Sequence, residues 1–116
     1  MIESEVRRGE VWLVDWSPGR GSGQLGLRPS LIVQNDIGNM YASTTIVAAI
    51  SGKVKKEYPF QLVIRPSDSG LSETRVVNLD QLRTIDRDRL VRRLGRLPQA
   101  VMGRVDAALK RSLGLD

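Results

Sequence analysis

The chain contains no cysteine and no histidine. Without cysteine there is no disulfide framework, no thiol nucleophile and no cysteine-based zinc site. Without histidine the usual general acid and base near neutral pH is missing, and so is the commonest metal ligand. Long apolar runs are lacking as well. The longest uninterrupted one, Ile46 to Ile50, is far too short to cross a bilayer, and the N-terminus, with Glu3 and Glu5, has no apolar segment of the signal-peptide kind. A soluble, cytoplasmic protein with no membrane association is expected. Lysine is scarce too: it occurs only at Lys53, Lys55, Lys56 and Lys110, which leaves 14 arginines among the 18 basic residues. Arginine is the side chain suited to bidentate phosphate contacts. The net charge of +5 leans toward an anionic partner, although a solvated basic surface gives the same balance. No repeat, low-complexity segment or linker divides the 116 residues, so one domain over 1–116 is expected.

What is present is organised around the stretch from Ser17 to Asp36. Gly19, Gly21, Gly23 and Gly26 make its first half costly to order, so this loop is expected to be mobile until something binds. Pro29 then forces Arg28 into an extended conformation, which makes Arg28 the first residue of a strand with its guanidinium beneath the loop. That arrangement reads either as an anion site or as an ordinary surface arginine after a hairpin loop.

The rest reads as short strands followed by one helix. Val11 to Trp16 alternates, with Trp12, Val14 and Trp16 on one face, and both indoles read as core rather than as a stacking platform. Leu31 to Val33 and Thr45 to Ile50 suit central strands buried on both sides. Asp36 to Asn39 reads as an N-capped single turn. Gln61 to Ile64, Thr74 to Leu79, Leu82 to Asp86 and Leu90 to Leu97 are further short strands. Pro66 to Gly70 is a turn, and Lys53 to Pro59 an exposed loop. Arg92, Arg93 and Arg96 either track a phosphate backbone or pair with Asp80, Asp86 and Asp88. In the tail, Pro98 in the first turn, Val101, Val105 and Leu109 at intervals of four, and Gly114 past the end predict an amphipathic helix over about 98–113. The fold class expected is mainly β with a C-terminal helix, a small bent antiparallel barrel or sandwich.

Several of these segments together carry a resemblance. Arg8-Gly9-Glu10-Val11, Ser17-Pro18 with Gly21-Ser22-Gly23-Gln24, Leu27-Arg28-Pro29, Val33 to Asn39, Ile46 to Ser51 and Gln81-Leu82-Arg83-Thr84-Ile85-Asp86 resemble the MazF/PemK family of toxin–antitoxin endoribonuclease toxins. The similarity covers nearly the whole chain. It implies a Src-homology-3-like barrel over about 7–97 and a homodimer that cuts single-stranded RNA with no cofactor and no metal. It also implies a cognate antitoxin that lays an extended acidic C-terminal segment over the RNA site. Relatives of the same fold that poison gyrase, and a barrel that binds RNA without cutting it, are the alternatives.

The family's two catalytic positions, an arginine directly before the proline of the second strand and a threonine or serine ending the third, fall on Arg28 and Ser51. The resemblance further puts Gln24, Asn35, Asn39 and Gln81 against the RNA, where amides read the edges of unpaired bases. For Asn35 and Asn39 the alternative duty is that of turn and cap. Two positions depart from the family pattern. Serine stands at 51 where many relatives have threonine, and Gly23 precedes Gln24 where a glutamate is common. The hydroxyl survives the first change. A carboxylate is lost in the second, so a different preferred RNA sequence is expected.

Overall fold

The computed structural model describes residues 5–18, 26–52 and 56–115, and in it the two apolar runs occupy the middle of one antiparallel sheet. In chain order the elements are β1 (Glu10–Asp15), β2 (Leu27–Ile32), α1 (Asp36–Tyr41), β3 (Thr44–Ser51), β4 (Gln61–Ile64), α2 (Pro66–Ser69), β5 (Arg75–Asp86), a 3-10 turn (Arg87–Arg89), β6 (Leu90–Arg96) and α3 (Gln99–Leu113). The six strands lie in the order β4-β5-β3-β2-β1-β6. Leu31 and Ile32 on β2, and Val47 and Ala48 on β3, are fully buried on opposite faces, as β-branched and apolar runs in central strands require. The mainly β fold with a C-terminal helix is therefore the one observed. No helix among the described residues is long and apolar enough to cross a membrane.

Each face of the sheet carries its own apolar cluster. On one, Val11, Leu31, Ala48, Ile50, Leu62, Ile64, Val77 and Leu79 close around Val101, Val105 and Ala108 of α3. The i, i+4 spacing of the two valines puts them on one side of that helix. Gly114, with φ 69°, ends it in a left-handed turn whose N–H reaches back to the Arg111 and Lys110 carbonyls. Pro98 caps the helix from outside rather than lying in its first turn. On the other face Val6, Val14, Ile32, Val47 and Ile85 form a smaller cluster, with Trp12, Trp16 and Leu90 half-buried against it. That cluster fills one end of its face only. Toward the other end of that face lie the exposed candidate residues Arg28 and Ser51.

Several local expectations are corrected. Thr74 to Leu79 and Leu82 to Asp86 are one strand, the twelve-residue β5. Its pairing with β3 runs to Ala48↔Leu82 and resumes at Ala49↔Asn78, so the polar pair Asp80-Gln81 is absorbed in a bulge rather than ending the strand. The turn at Asp36 is a six-residue helix whose cap is Asn35, the Oδ1 of which accepts from Gly38 N at 2.7 Å. Pro66 to Ser69 is a helical turn closed by Gly70 at φ 78°. Arg93 pairs with none of the three aspartates. Its partner is Glu10, 3.0 Å away and 3% exposed, which also accepts from Arg7 N at 3.0 Å and Trp12 Nε1 at 2.9 Å. A buried carboxylate held by three donors meets the condition under which burying a charge is tolerated.

Candidate functional site

The polar end of the second face is set by strand register. Ser30↔Ala49, Leu31↔Ala48 and Ile32↔Val47 are paired across β2 and β3. Carried two residues further, the same register sets Arg28 opposite Ser51, and residues opposite each other in an antiparallel pair project to the same side. The observed pairing stops at Ser30, next to Pro29, which brings no N–H to the ladder. Arg28 is exposed and its guanidinium makes no ion pair with any described residue. Ser51 is exposed as well. The register carried on therefore assigns to one side of the sheet a cation with no ion pair among the described residues and an exposed hydroxyl.

Both have supports that come from distant parts of the chain. Ser30, fully buried, accepts from Trp16 Nε1 at 2.8 Å and donates to the Arg28 carbonyl at 3.4 Å, so the strand beneath Arg28 is tied to β1 through an indole. Ser51 Oγ accepts from Asn78 Nδ2 at 3.1 Å. The same Nδ2 reaches the Ala49 carbonyl at 3.3 Å, and Asn78 Oδ1 accepts from Gln61 Nε2 at 2.8 Å. Asn78 is 3% exposed, so these bonds satisfy an amide that water cannot.

Beside Arg28 stands the neck of the loop that leaves β1. Trp16 N donates to the Gly26 carbonyl at 2.7 Å. A Cβ on Gly26 would come within 2.6 Å of Ser17 Cβ, so only glycine lets the two ends approach this closely. Two arginines lock the neck. Arg89 Nη1 donates to the Asp15 and Ser17 carbonyls at 2.9 and 2.8 Å, and Arg83 Nη1 donates to the Trp16 carbonyl at 2.8 Å while lying 5.5 Å from that indole's centroid. The loop interior, with Gly23 and Gln24, lies outside the described residues, as do Lys53 to Lys55.

The remaining residues singled out in the sequence divide. Gln81 is exposed in the β5 bulge, on the strand that carries Asn78 and Arg83. Asn35 and Asn39 lie past the end of β2 remote from Arg28, at the cap and within α1. Asn35 caps α1. Asn39 is 1% exposed and its amide is saturated: Oδ1 accepts from Thr45 Oγ1 at 2.7 Å and Gln34 Nε2 at 3.0 Å, while Nδ2 donates to Gln34 O at 3.0 Å and Asp36 Oδ1 at 3.2 Å. No donor or acceptor on it is left over to read a base. Beyond its first residue, Asp36, α1 presents apolar side chains to solvent, namely Ile37, Met40 and Tyr41. Asn78, Gln61, Arg83 and Arg89 escaped the sequence reading, because each works through a partner far away in the chain. Among the described residues no three carboxylates gather closely enough to hold a metal ion.

Residues 7–113 match the model of the family described as PemK-like, MazF-like toxin of type II toxin–antitoxin systems. Among solved structures, the chain is similar to a mycobacterial endoribonuclease in complex with its cognate antitoxin, at 28% identity and a TM-score of 0.79 over 96% of this chain and 97% of that one. It is similar to MazF in a MazE–MazF complex from Deinococcus radiodurans, at 27% identity and a TM-score of 0.78, covering 98% of this chain and 100% of that one. MazF alone from the same organism aligns at 25% identity and a TM-score of 0.77, over 97% and 99% of the two chains.

Proposed function

The chain belongs to the PemK-like, MazF-like toxins of type II toxin–antitoxin systems, and from that membership we infer that it is an endoribonuclease that cuts single-stranded RNA at short sequences, without a metal. What supports this reading is the β2–β3 register, which, carried two residues beyond the observed pairs, sets Arg28, ion-paired to no described residue, opposite the exposed Ser51. The adjacent 2'-OH attacks phosphorus, the new O2'–P bond forms and the P–O5' bond breaks. A 2',3'-cyclic phosphate and a 5'-hydroxyl remain. Charge gathers on the non-bridging oxygens, where Arg28 supplies a full positive charge and two parallel N–H donors, and Ser51 a third donor. A guanidinium keeps its charge and neither gives up nor takes up a proton here, so its contribution is electrostatic. With no imidazole in the chain, alignment of the 2'-OH and stabilisation of the phosphorane carry the rate.

Two copies of the chain form the working unit, and an acidic antitoxin segment is the partner that fits a site built on a free guanidinium. The toxin acts in the cytoplasm. Purified protein in excess chelator is expected to cut a mixed pool of single-stranded RNA into fragments with cyclic 3' ends. Intact RNA, or fragments ending in 3'-hydroxyls, would remove the mechanism. Ser51→Ala deletes one neutral donor and is expected to lower kcat about tenfold, the worth of roughly one hydrogen bond, with KM little changed. Single-turnover cleavage measures it.

A further inference from the structure

The polar atoms behind Ser51 form a chain whose direction is fixed at both ends by the backbone. Tyr58 N–H can only donate, and it donates to Gln61 Oε1 at 3.0 Å, which leaves Gln61 Nε2 facing Asn78 Oδ1 at 2.8 Å. At the other end the Ala49 carbonyl can only accept, so the Asn78 group 3.3 Å from it is the NH2, and the second hydrogen of that NH2 is the one aimed at Ser51 Oγ, 3.1 Å away. Neither amide can be flipped without setting like against like at a backbone group. Ser51 Oγ is thereby made an acceptor toward the protein. Its one proton must point elsewhere, and Ser51 is exposed to solvent, on the side of the sheet to which the β2–β3 register, carried on, assigns Arg28.

We propose that Asn78 is a positioning residue for RNA cleavage: by donating to Ser51 Oγ it holds that hydroxyl as an outward donor toward the scissile phosphate, and Gln61 fixes the amide that does so. The inference rests on the endoribonuclease reading above. Without Asn78 the hydroxyl can turn inward and spend its proton on the Ala49 carbonyl, which its NH2 no longer occupies. Asn78 touches no substrate, so its effect must pass through Ser51.

That dependence is what the test reads. Asn78→Leu keeps the volume and removes the donor. It is expected to lower kcat about three- to tenfold in the wild-type background, the worth of one neutral hydrogen bond, and to change nothing in a Ser51→Ala background. Equal losses in both backgrounds would overturn the proposal while leaving the nuclease reading intact. A wild-type chain that cuts no RNA would take down the reading and the proposal with it. Because position 78 is buried, Asn78→Asp is the second variant. Its carboxylate accepts the Ser51 proton and turns the donor inward, but the protonated acid can donate again. The ratio of Asn78→Asp to wild-type cleavage is therefore expected to rise as pH falls through the carboxyl's titration. A ratio that stays flat or falls over that range would also sink the proposal.

Discussion

Arg28→Ala is expected to lower single-turnover RNA cleavage about a hundredfold or more, roughly 2.7 kcal/mol of transition-state stabilisation, the scale of losing one oxyanion donor from a preorganised site. The loss should fall on kcat more than on KM, since charge builds on the phosphate oxygens as the phosphorane forms and the guanidinium binds that state better than the ground state. Stability should hardly move. Arg28 is exposed and ion-paired to no described residue, so its removal leaves nothing stranded. Arg28→Lys keeps a charge but gives up the flat two-pronged donor, and it should recover only part of the rate. Near-normal cleavage by Arg28→Ala, in protein that melts like wild type, would show that the phosphate sits somewhere else.

Asn39→Ala is expected to do the opposite, costing stability and sparing the chemistry. The substitution strips four hydrogen bonds from the junction of α1 and β3 and leaves the fully buried Thr45 hydroxyl without its acceptor. An unsatisfied buried polar group costs about 1–3 kcal/mol, and Gln34 is deprived as well, so a loss of about 3 kcal/mol follows. At roughly 4 °C per kcal/mol for a chain of this size, the melting temperature should fall by about 12 °C. At a temperature where the variant is folded, its cleavage sites and kcat should match those of wild type. If the variant instead melts normally and cuts at different sequences, Asn39 reads RNA after all.

The two asparagines singled out beside the RNA show where reading a single sequence succeeds and where it stops. Asn35, before a short polar turn, carried a capping signal that the structure confirms at 2.7 Å. The apolar runs of β2 and β3 told their own burial because a central strand must be apolar on both sides, and Val101 and Val105 marked the buried side of α3 by spacing alone. The same local signals misled at Asp80-Gln81. Two polar residues looked like the end of a strand, whereas a bulge carries β5 through them.

Nothing local marked the supports of the site. Asn78 meets Ser51 across 27 positions, Arg83 meets Trp16 across 67 and Arg89 meets Asp15 across 74. Such pairs are fixed by register and topology, which no window of a dozen residues contains. The arginine count was legible only in part. Arg8, Arg83, Arg87 and Arg89 each donate to a backbone carbonyl of a distant segment, on Val33, Trp16, Asn39 and Asp15 respectively, so part of what resembled a basic surface for an anionic partner is internal bracing.

Among the described residues, the bonds that make the pinch between Trp16 and Gly26 are held by Asp15, Trp16, Ser17 and Gly26 with Arg83 and Arg89, so the framework closes the span at its neck. Doubling such a span adds only about 0.6 kcal/mol of closure entropy. A span closed at its neck in this way can change length while β1 and β2 keep their pairing.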